Sequence, residues 1–381
     1  MIDSIVKYPG GKSRELKHIL PNVPSKISNY FEPFVGGGSV YFALASKTNK
    51  AFINDKSLDL MFLYQSVKDS NEDFYKKVEF IANIWKKSDE YSLSMIPVFT
   101  ALFKQEFQDP SLSSIKMLAD ELKKRDSITF SLMFDNPFQI SSDLLAALNR
   151  KLRYLLKQAQ KGKNITDHGI ADIVDTAVKS AIYTYFRREF NELVVDKDIS
   201  KGERAALYLF IRQYAYSSMF RFSKSGNFNV PYGGKTYNKI SLYDKLQKYK
   251  DNDLKALLKK TKLFSSDFEE FLTTYTPQKD DFLFLDPPYD TEFSTYDKNK
   301  FDEKEQRRLA HFIINTVKGN WMLIIKDTDL IREIYIPGTP CANNGEIYSA
   351  RFDKVYSVNF KNRNNRKTDH LIITNYPIRT I

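Results

Sequence analysis

Phe282-Leu283-Phe284-Leu285 runs straight into Asp286-Pro287-Pro288-Tyr289. A short, uninterrupted apolar run suits a strand buried on both faces of a parallel sheet. The two prolines lack the N–H groups that a continuing strand needs, so the ladder stops there. A carboxylate, a stiff bend and an aromatic ring are thereby held at a strand's carboxyl end, the edge where open α/β sheets bind their ligands. An acceptor carboxylate beside a stacking ring suits a planar base carrying an exocyclic amino group. Asp-Pro and Pro-Pro also punctuate ordinary turns, so the rest of the chain has to decide between the two readings.

The charge balance favours a base within a polyanion. The chain has a formal net charge of +11, which points towards nucleic acid. At 381 residues and 42% hydrophobic content it can bury the core of one large or two modest domains. The single cysteine, Cys341, excludes an internal disulfide and a Cys-based zinc site. His18, His168, His311 and His370 lie far apart without ligand spacing, so no metal centre is expected. Neither a signal peptide nor an apolar run long enough to span a membrane is evident, which places the expected protein in a cytoplasm.

Two further turns carry chemistry. Lys7-Tyr8-Pro9-Gly10-Gly11-Lys12 is a Pro-Gly-Gly turn flanked by lysines, leading to an expected helix through Leu20. Its backbone amides suit a carboxylate or phosphate, with a plain loop as the alternative. Asn29–Val35, then Gly36-Gly37-Gly38-Ser39, then a helix over Val40–Ser46 give the strand, glycine turn and helix at which a cofactor approaches the backbone. Tyr41 stands where Gly-x-Gly-x-x-Gly needs its third glycine, which argues against a pyrophosphate and a nicotinamide cofactor. Glu32, just before the turn, is an acceptor suited to a cationic or amino group.

Ala51–Asp55 reads as the next strand. Asp55 falls near the interval after Gly36 at which an acid meets ribose hydroxyls, and it equally suits a cap for the helix Leu58–Val67. Leu263-Phe264 leads to Ser265-Ser266-Asp267-Phe268, placing a second acid near a strand end. Thr291–Lys300 is a polar loop long enough to close over a substrate. Asp302–Thr316 reads as a helix, Trp321–Ile325 as a core strand, and the tail holds Tyr356–Phe360, a basic run Lys361–Lys367 and a strand Leu371–Thr374.

Between these halves the pattern changes. Ile140, Leu144, Leu145, Leu148, Leu152, Leu155 and Leu156 repeat at helical spacing, interleaved with Arg150, Lys151, Arg153, Lys157, Lys161 and Lys163. We expect an α/β catalytic domain over 1–56 and 261–381, interrupted by a mainly helical domain over 57–260. An insertion of roughly 200 residues exceeds ordinary connections and should have its own task. It contains Tyr214–Gly234, where Phe220, Phe222 and Phe228 alternate with Arg221, Lys224 and Asn229 around Lys-Ser-Gly-Asn. This reads as a β-hairpin or a tight loop with stacking and base-edge groups, or as a structural hairpin whose rings face a core.

Lys-Tyr-Pro-Gly-Gly-Lys, Phe-Glu-Pro-Phe-Val-Gly-Gly-Gly, a later Asn-Asp, Gly-Asn-Phe-Asn-Val-Pro-Tyr-Gly and Asp-Pro-Pro-Tyr occur here in one order over residues 7 to 376. Together they closely resemble the Dam-type DNA adenine-N6 methyltransferases, the D12 class, in the α order of motifs. The resemblance implies a Rossmann-like methyltransferase sheet using S-adenosylmethionine, with an inserted target-recognition domain carrying a β-hairpin. It would place the cofactor's methionine end near Tyr8, Gly10, Lys12, Phe34, Gly36 and Gly38, its ribose on Asp55, and its adenine on Asp267 and Phe268. Asp286, Pro287 and Tyr289 would be the catalytic residues, with Asp286 also beside the cofactor. Lys7, Tyr216, Ser217, Arg221, Asn229 and Pro231 would face double-stranded DNA. Ser217-Ser218-Met219 replaces the commoner Asn-Gly-Leu, so the resemblance leaves the recognition sequence open, GATC included. A monomer suffices, and a cognate restriction endonuclease is the protein partner that such a system can include.

RNA adenine and DNA cytosine-N4 present the same amino geometry as DNA adenine and stand as alternative targets. A nicotinamide oxidoreductase and a DNA-binding relative without activity are disfavoured by the missing third glycine and by the intact Asp-Pro-Pro-Tyr.

Overall fold

The computed structural model describes residues 2, 4–8, 10–109, 114–126, 130–193, 201–288, 301–355 and 367–379. Tyr289, the loop Thr291–Lys300, Tyr356–Phe360 and nearly all of the basic run after it lie outside the described residues. The chain divides into a unit of residues 1–69, 220–222 and 249–381 and a second of residues 70–219 and 223–248.

The first unit is built on a sheet. Its strands are β1 (Asn29–Glu32), β2 (Lys50–Asn54), β3 (Thr261–Phe264), β4 (Phe282–Leu285), β5 (Asn320–Lys326), β6 (Tyr348–Val355) and β7 (Lys367–Thr374). Their order is β3-β2-β1-β4-β5-β7-β6. The first five run parallel, β7 is antiparallel to β5, and β6 is antiparallel to β7. Successive connections step outward from β1 through β2 to β3, and from β4 to β5, so the strand order reverses between β1 and β4. That is the topological switch point, where such sheets open a crevice at the carboxyl ends.

The uninterrupted apolar character of β4 is explained by its position: both faces are covered. Leu283 and Leu285 join Phe31, Trp321, Leu323, Ile325 and, from the helices, Phe271, Leu309 and Ile313 in one core cluster. Phe282 turns the other way, against Tyr30, whose ring also meets Tyr41. Each such buried side chain contributes about 1.5–3 kcal/mol of transfer free energy, which fixes the strand between two layers.

The helices are α1 (Leu16–Ile19), α2 (Ser39–Leu44), α3 (Leu58–Lys68), α4 (Glu72–Gln108), α5 (Ser114–Asp126), α6 (Pro137–Gln160), α7 (Asp167–Glu192), α8 (Lys201–Tyr214), α9 (Leu242–Tyr249), α10 (Asn252–Lys259), α11 (Phe268–Thr274), α12 (Glu303–Thr316) and α13 (Asp329–Ile334). Leu58–Lys68, which the sequence pattern assigns to the insertion, clusters with the sheet. The second unit holds α4 to α8 and α9 up to Lys248. Asn71 caps α4 by accepting from Phe74 N at 2.9 Å, and Asn136 caps α6 by accepting from Gln139 N at 3.1 Å. Ile140, Leu144, Leu148, Leu152, Leu155 and Leu156 are buried in α6, as their spacing predicts, whereas Leu145 is only half-buried. Among the described residues no helix is long and apolar enough to cross a membrane.

Candidate active site at the sheet's carboxyl edge

Adjacent parallel strands bring their carboxyl ends together at the switch point. β4 ends before Asp286, β1 before the turn that holds Gly36, β2 before Asp55, and β3 before Asp267. Residues spread over most of the chain therefore share one edge, with neighbouring strands about 4.8 Å apart.

The glycine turn is shaped by close packing. Gly36 and Gly38 have φ of +49° and +78°, in the left-handed region. A Cβ on Gly36 would stand 3.0 Å from the Tyr8 ring, and one on Gly38 would stand 2.5 Å from the Tyr64 hydroxyl. Tyr64 donates to the Gly36 carbonyl at 3.1 Å. Asp55 accepts from Gly36 N at 3.0 Å and from Ser57 N at 3.0 Å, so it ties β2 to the turn and turns the chain into α3. Asn54 donates to the carbonyls of Pro33 and Ser266, and accepts from Ser266 N, which locks the ends of β1, β2 and β3 into register.

Lys12 lies in the Gly10-Gly11 turn, is 3% exposed, and gives its ammonium to the Gly10 carbonyl at 3.0 Å. The same ammonium bonds Asp286 Oδ1 at 2.5 Å. The motif resemblance puts Lys12 beside a cofactor; its contact here is with the carboxylate of the Asp-Pro-Pro bend. The bend is braced from behind, because Gln306 of α12 donates to the Pro288 carbonyl at 2.9 Å. Pro287 is buried and Asp286 is half-buried.

Glu32, at the end of β1, is 3% exposed and accepts from the Tyr30 hydroxyl at 2.7 Å. Burial pushes its carboxyl well above the usual range and the neighbouring Asp286 pushes the same way, against the Tyr30 hydrogen bond and the Lys12 charge. It is a buried carboxyl bonded to tyrosine.

Asp267 caps α11 by accepting from Glu269 N at 3.0 Å and accepts from both terminal guanidinium nitrogens of Arg308, Nη1 and Nη2, at 2.8 Å. That pair holds its carboxyl below the ordinary value. The Arg308 guanidinium also lies 4.2 Å from the ring centre of Phe268. Phe34 meets Phe268 at 5.8 Å and Phe301 at 5.6 Å, giving an aromatic wall beside Asp267. Gln306 and Arg308 do not stand out in the sequence. On a helix opening Glu303-Lys304-Glu305 they resemble a solvated face, and nothing local marks their partners.

Lys7 is exposed in the sheet unit, and so is Arg221. Tyr216, Ser217, Asn229 and Pro231 belong to the helical unit. Tyr216 N donates to the Pro231 carbonyl at 2.9 Å, and Ala215 forms an isolated antiparallel bridge with Tyr232. The segment read as a hairpin or tight loop doubles back on itself, with isolated bridge pairing in place of extended strands. Tyr216–Ser218 forms a 3₁₀ turn with Ser217 at φ +52°, and Pro231 has no N–H, which together prevent a longer ladder.

The strand order opens a switch-point crevice at the edge where α/β enzymes bind their ligands, with Asp286, Asp55 and Asp267 following the strand ends there. The family profile of D12 class N6 adenine-specific DNA methyltransferases matches residues 8–132 and 127–339, and the chain belongs to that family. It is 23% identical to the Type II methyltransferase M.CviBI of Paramecium bursaria Chlorella virus NC1A, over 98% of this chain and 99% of that protein. It is 26% identical to the Type II methyltransferase M.MjaIII of Methanocaldococcus jannaschii, over 86% and 84% of the two chains. The DNA adenine methylase of Escherichia coli K12 is 28% identical over 40% of this chain and 53% of its own. The protein is thus a site-specific DNA adenine methyltransferase that requires a methyl donor.

Proposed function

We propose that the chain methylates N6 of an adenine flipped out of duplex DNA, with S-adenosylmethionine as donor, and that it does so as a cytoplasmic monomer. The observation that carries this reading is the line of Asp267, Asp55, Gly36 and Asp286 along consecutive strand ends β3, β2, β1 and β4. The residues fit that donor. The glycine turn presents bare backbone beside Tyr8 and Phe34 for its methionine end, Asp55 has acceptor oxygens for ribose hydroxyls, and Phe34 and Phe268 offer rings for its adenine. Asp267 can serve that adenine while paired to Arg308, since a carboxylate has about four lone-pair sites.

When bound beside the glycine turn, S-adenosylmethionine would supply an electrophilic methyl group for N6, with its sulfur as the leaving atom. The N6 lone pair of adenine is delocalised into the ring, so the protein's task is orientation and charge stabilisation. Asp286 and the Pro287 carbonyl accept the two N6 hydrogens and draw the nitrogen towards tetrahedral geometry. Lys12 fixes the Asp286 carboxylate, and Gln306 fixes the bend that carries it. The amine becomes acidic as it gains the methyl, and Asp286 then takes the departing proton. Tyr289 stacks on the target base, worth roughly 1–3 kcal/mol, against an extrusion cost of a few kcal/mol. The helical unit acts as the target-recognition domain, and its relatives' type leaves room for a cognate endonuclease as a system partner.

Asp286→Ala is expected to abolish N6-methyladenine formation, read by nucleoside mass spectrometry, while calorimetry still detects S-adenosylmethionine binding. Equal loss of both would make Asp286 a structural residue, and N4-methylcytosine as the wild-type product would overturn the proposal.

A further inference from the structure

The segment after the Ser223–Asn227 turn is fastened to α7 at two residues. The turn itself is closed by Ser223 N on the Asn227 carbonyl at 2.8 Å and Gly226 N on the Ser223 carbonyl at 2.9 Å. Beyond it, the Asn191 side chain makes a paired contact with one residue: Nδ2 donates to the Phe228 carbonyl at 3.0 Å, and Oδ1 accepts from Phe228 N at 2.8 Å. The Val230 carbonyl accepts from the Tyr183 hydroxyl at 3.0 Å and from Arg187 Nη1 at 3.1 Å. Phe228 and Val230 are each 1% exposed, and Asn229 between them is only half-buried. In extended backbone, alternate residues point to opposite sides. The burial of Phe228 and Val230 on either side of the more exposed Asn229 follows that alternation, and the fastening to α7 holds its register.

We propose that Asn191, with Arg187 and Tyr183, is a positioning residue for sequence specificity: it sets the register of the loop so that Asn229 is presented to base edges. The inference rests on the reading of residues 216–231 as the DNA-reading segment. The physical case is that an amide engaging both backbone groups of one residue admits no slip. A slip by one residue would send Asn229 inward and Phe228 outward. Base discrimination through bidentate contacts needs a fixed donor and acceptor geometry, so a loosened register costs specificity before it costs binding to phosphates.

The test compares discrimination between the recognition site and sites differing by one base pair, as a ratio of kcat/KM, once modified-base sequencing of a naive genome has given the site for the wild-type chain. Asn191→Ala is expected to lower that ratio about tenfold, and Asn191→Asp, which keeps the acceptor for Phe228 N and loses the donor, to lower it by less. Asn136→Ala removes a helix cap in the same unit without touching the loop and is expected to leave the ratio unchanged. Arg221→Ala reports on the underlying reading and should itself relax the ratio. If Arg221→Ala relaxes it and both Asn191 variants do not, the positioning role is overturned. If Asn136→Ala lowers it as much as Asn191→Ala, the effect is general destabilisation and the role is overturned too. An unchanged ratio for Arg221→Ala would instead remove the DNA-reading assignment.

Discussion

Glu32 illustrates what single residues contribute at this site. It sits in the electrostatic environment of Asp286 and Lys12, bonded to Tyr30, and burial opposes its ionisation. Because its folded value is raised, the folded state holds a proton that the unfolded chain releases above the ordinary value of 4.5. Stability attached to Glu32 is therefore complete below that value and falls as pH rises towards the raised folded value. Glu32→Gln keeps an acceptor for the Tyr30 hydroxyl and removes the titration. Denaturant unfolding from about pH 5 to about pH 8 should show the variant gaining on the wild type by at most about 1.4 kcal/mol per pH unit. A difference that stays flat across the range would mean that Glu32 ionises as freely in the folded protein as in the unfolded chain.

At the scale of elements, the glycine turn between β1 and α2 is the part most tightly specified. A methyl group at Gly38 would meet the Tyr64 hydroxyl at 2.5 Å and the Phe42 ring at 2.8 Å, with φ at +78°. Left-handed strain and overpacking together predict that Gly38→Ala costs about 2–4 kcal/mol. Gly10 has nearly the same φ, +79°, but nothing lies within 4 Å of the place a methyl group there would take, so Gly10→Ala should cost only about 1–2 kcal/mol. Chemical denaturation of the two variants separates the contributions, and equal losses would show that packing at Gly38 is slack. This turn, with β4 found to the residue, was legible in the sequence because strand, glycine and helix signals are local. The Lys12–Asp286 pair and the supports from Gln306 and Arg308 were not. They join residues that only the sheet order brings together, and no periodicity records such a pairing. The reversal over residues 214–234 was legible from its turn residues, whereas its fastenings to side chains of α7 were not, because nothing local marks those partners.

For the whole molecule, charge is the property that bears on DNA. The net charge of +11 is spread over both units, and α6 offers one well-defined part of it. Arg150, Lys157 and Lys161 are exposed at spacings that place them on one helix face, whereas Arg153 on the same side is paired with Glu106. An exposed lysine that neutralises a phosphate releases a counterion and contributes roughly −0.9 to the slope of log K against log salt. It carries no base information, because phosphates are the same in every sequence. Lys157→Ala is accordingly expected to weaken duplex binding equally at recognition and random sites and to make the salt slope shallower by about 1. Titrations at several salt concentrations on both duplexes decide it. A loss confined to the recognition site would move Lys157 into the base-reading set, and an unchanged slope would take this face of α6 out of the DNA-binding surface.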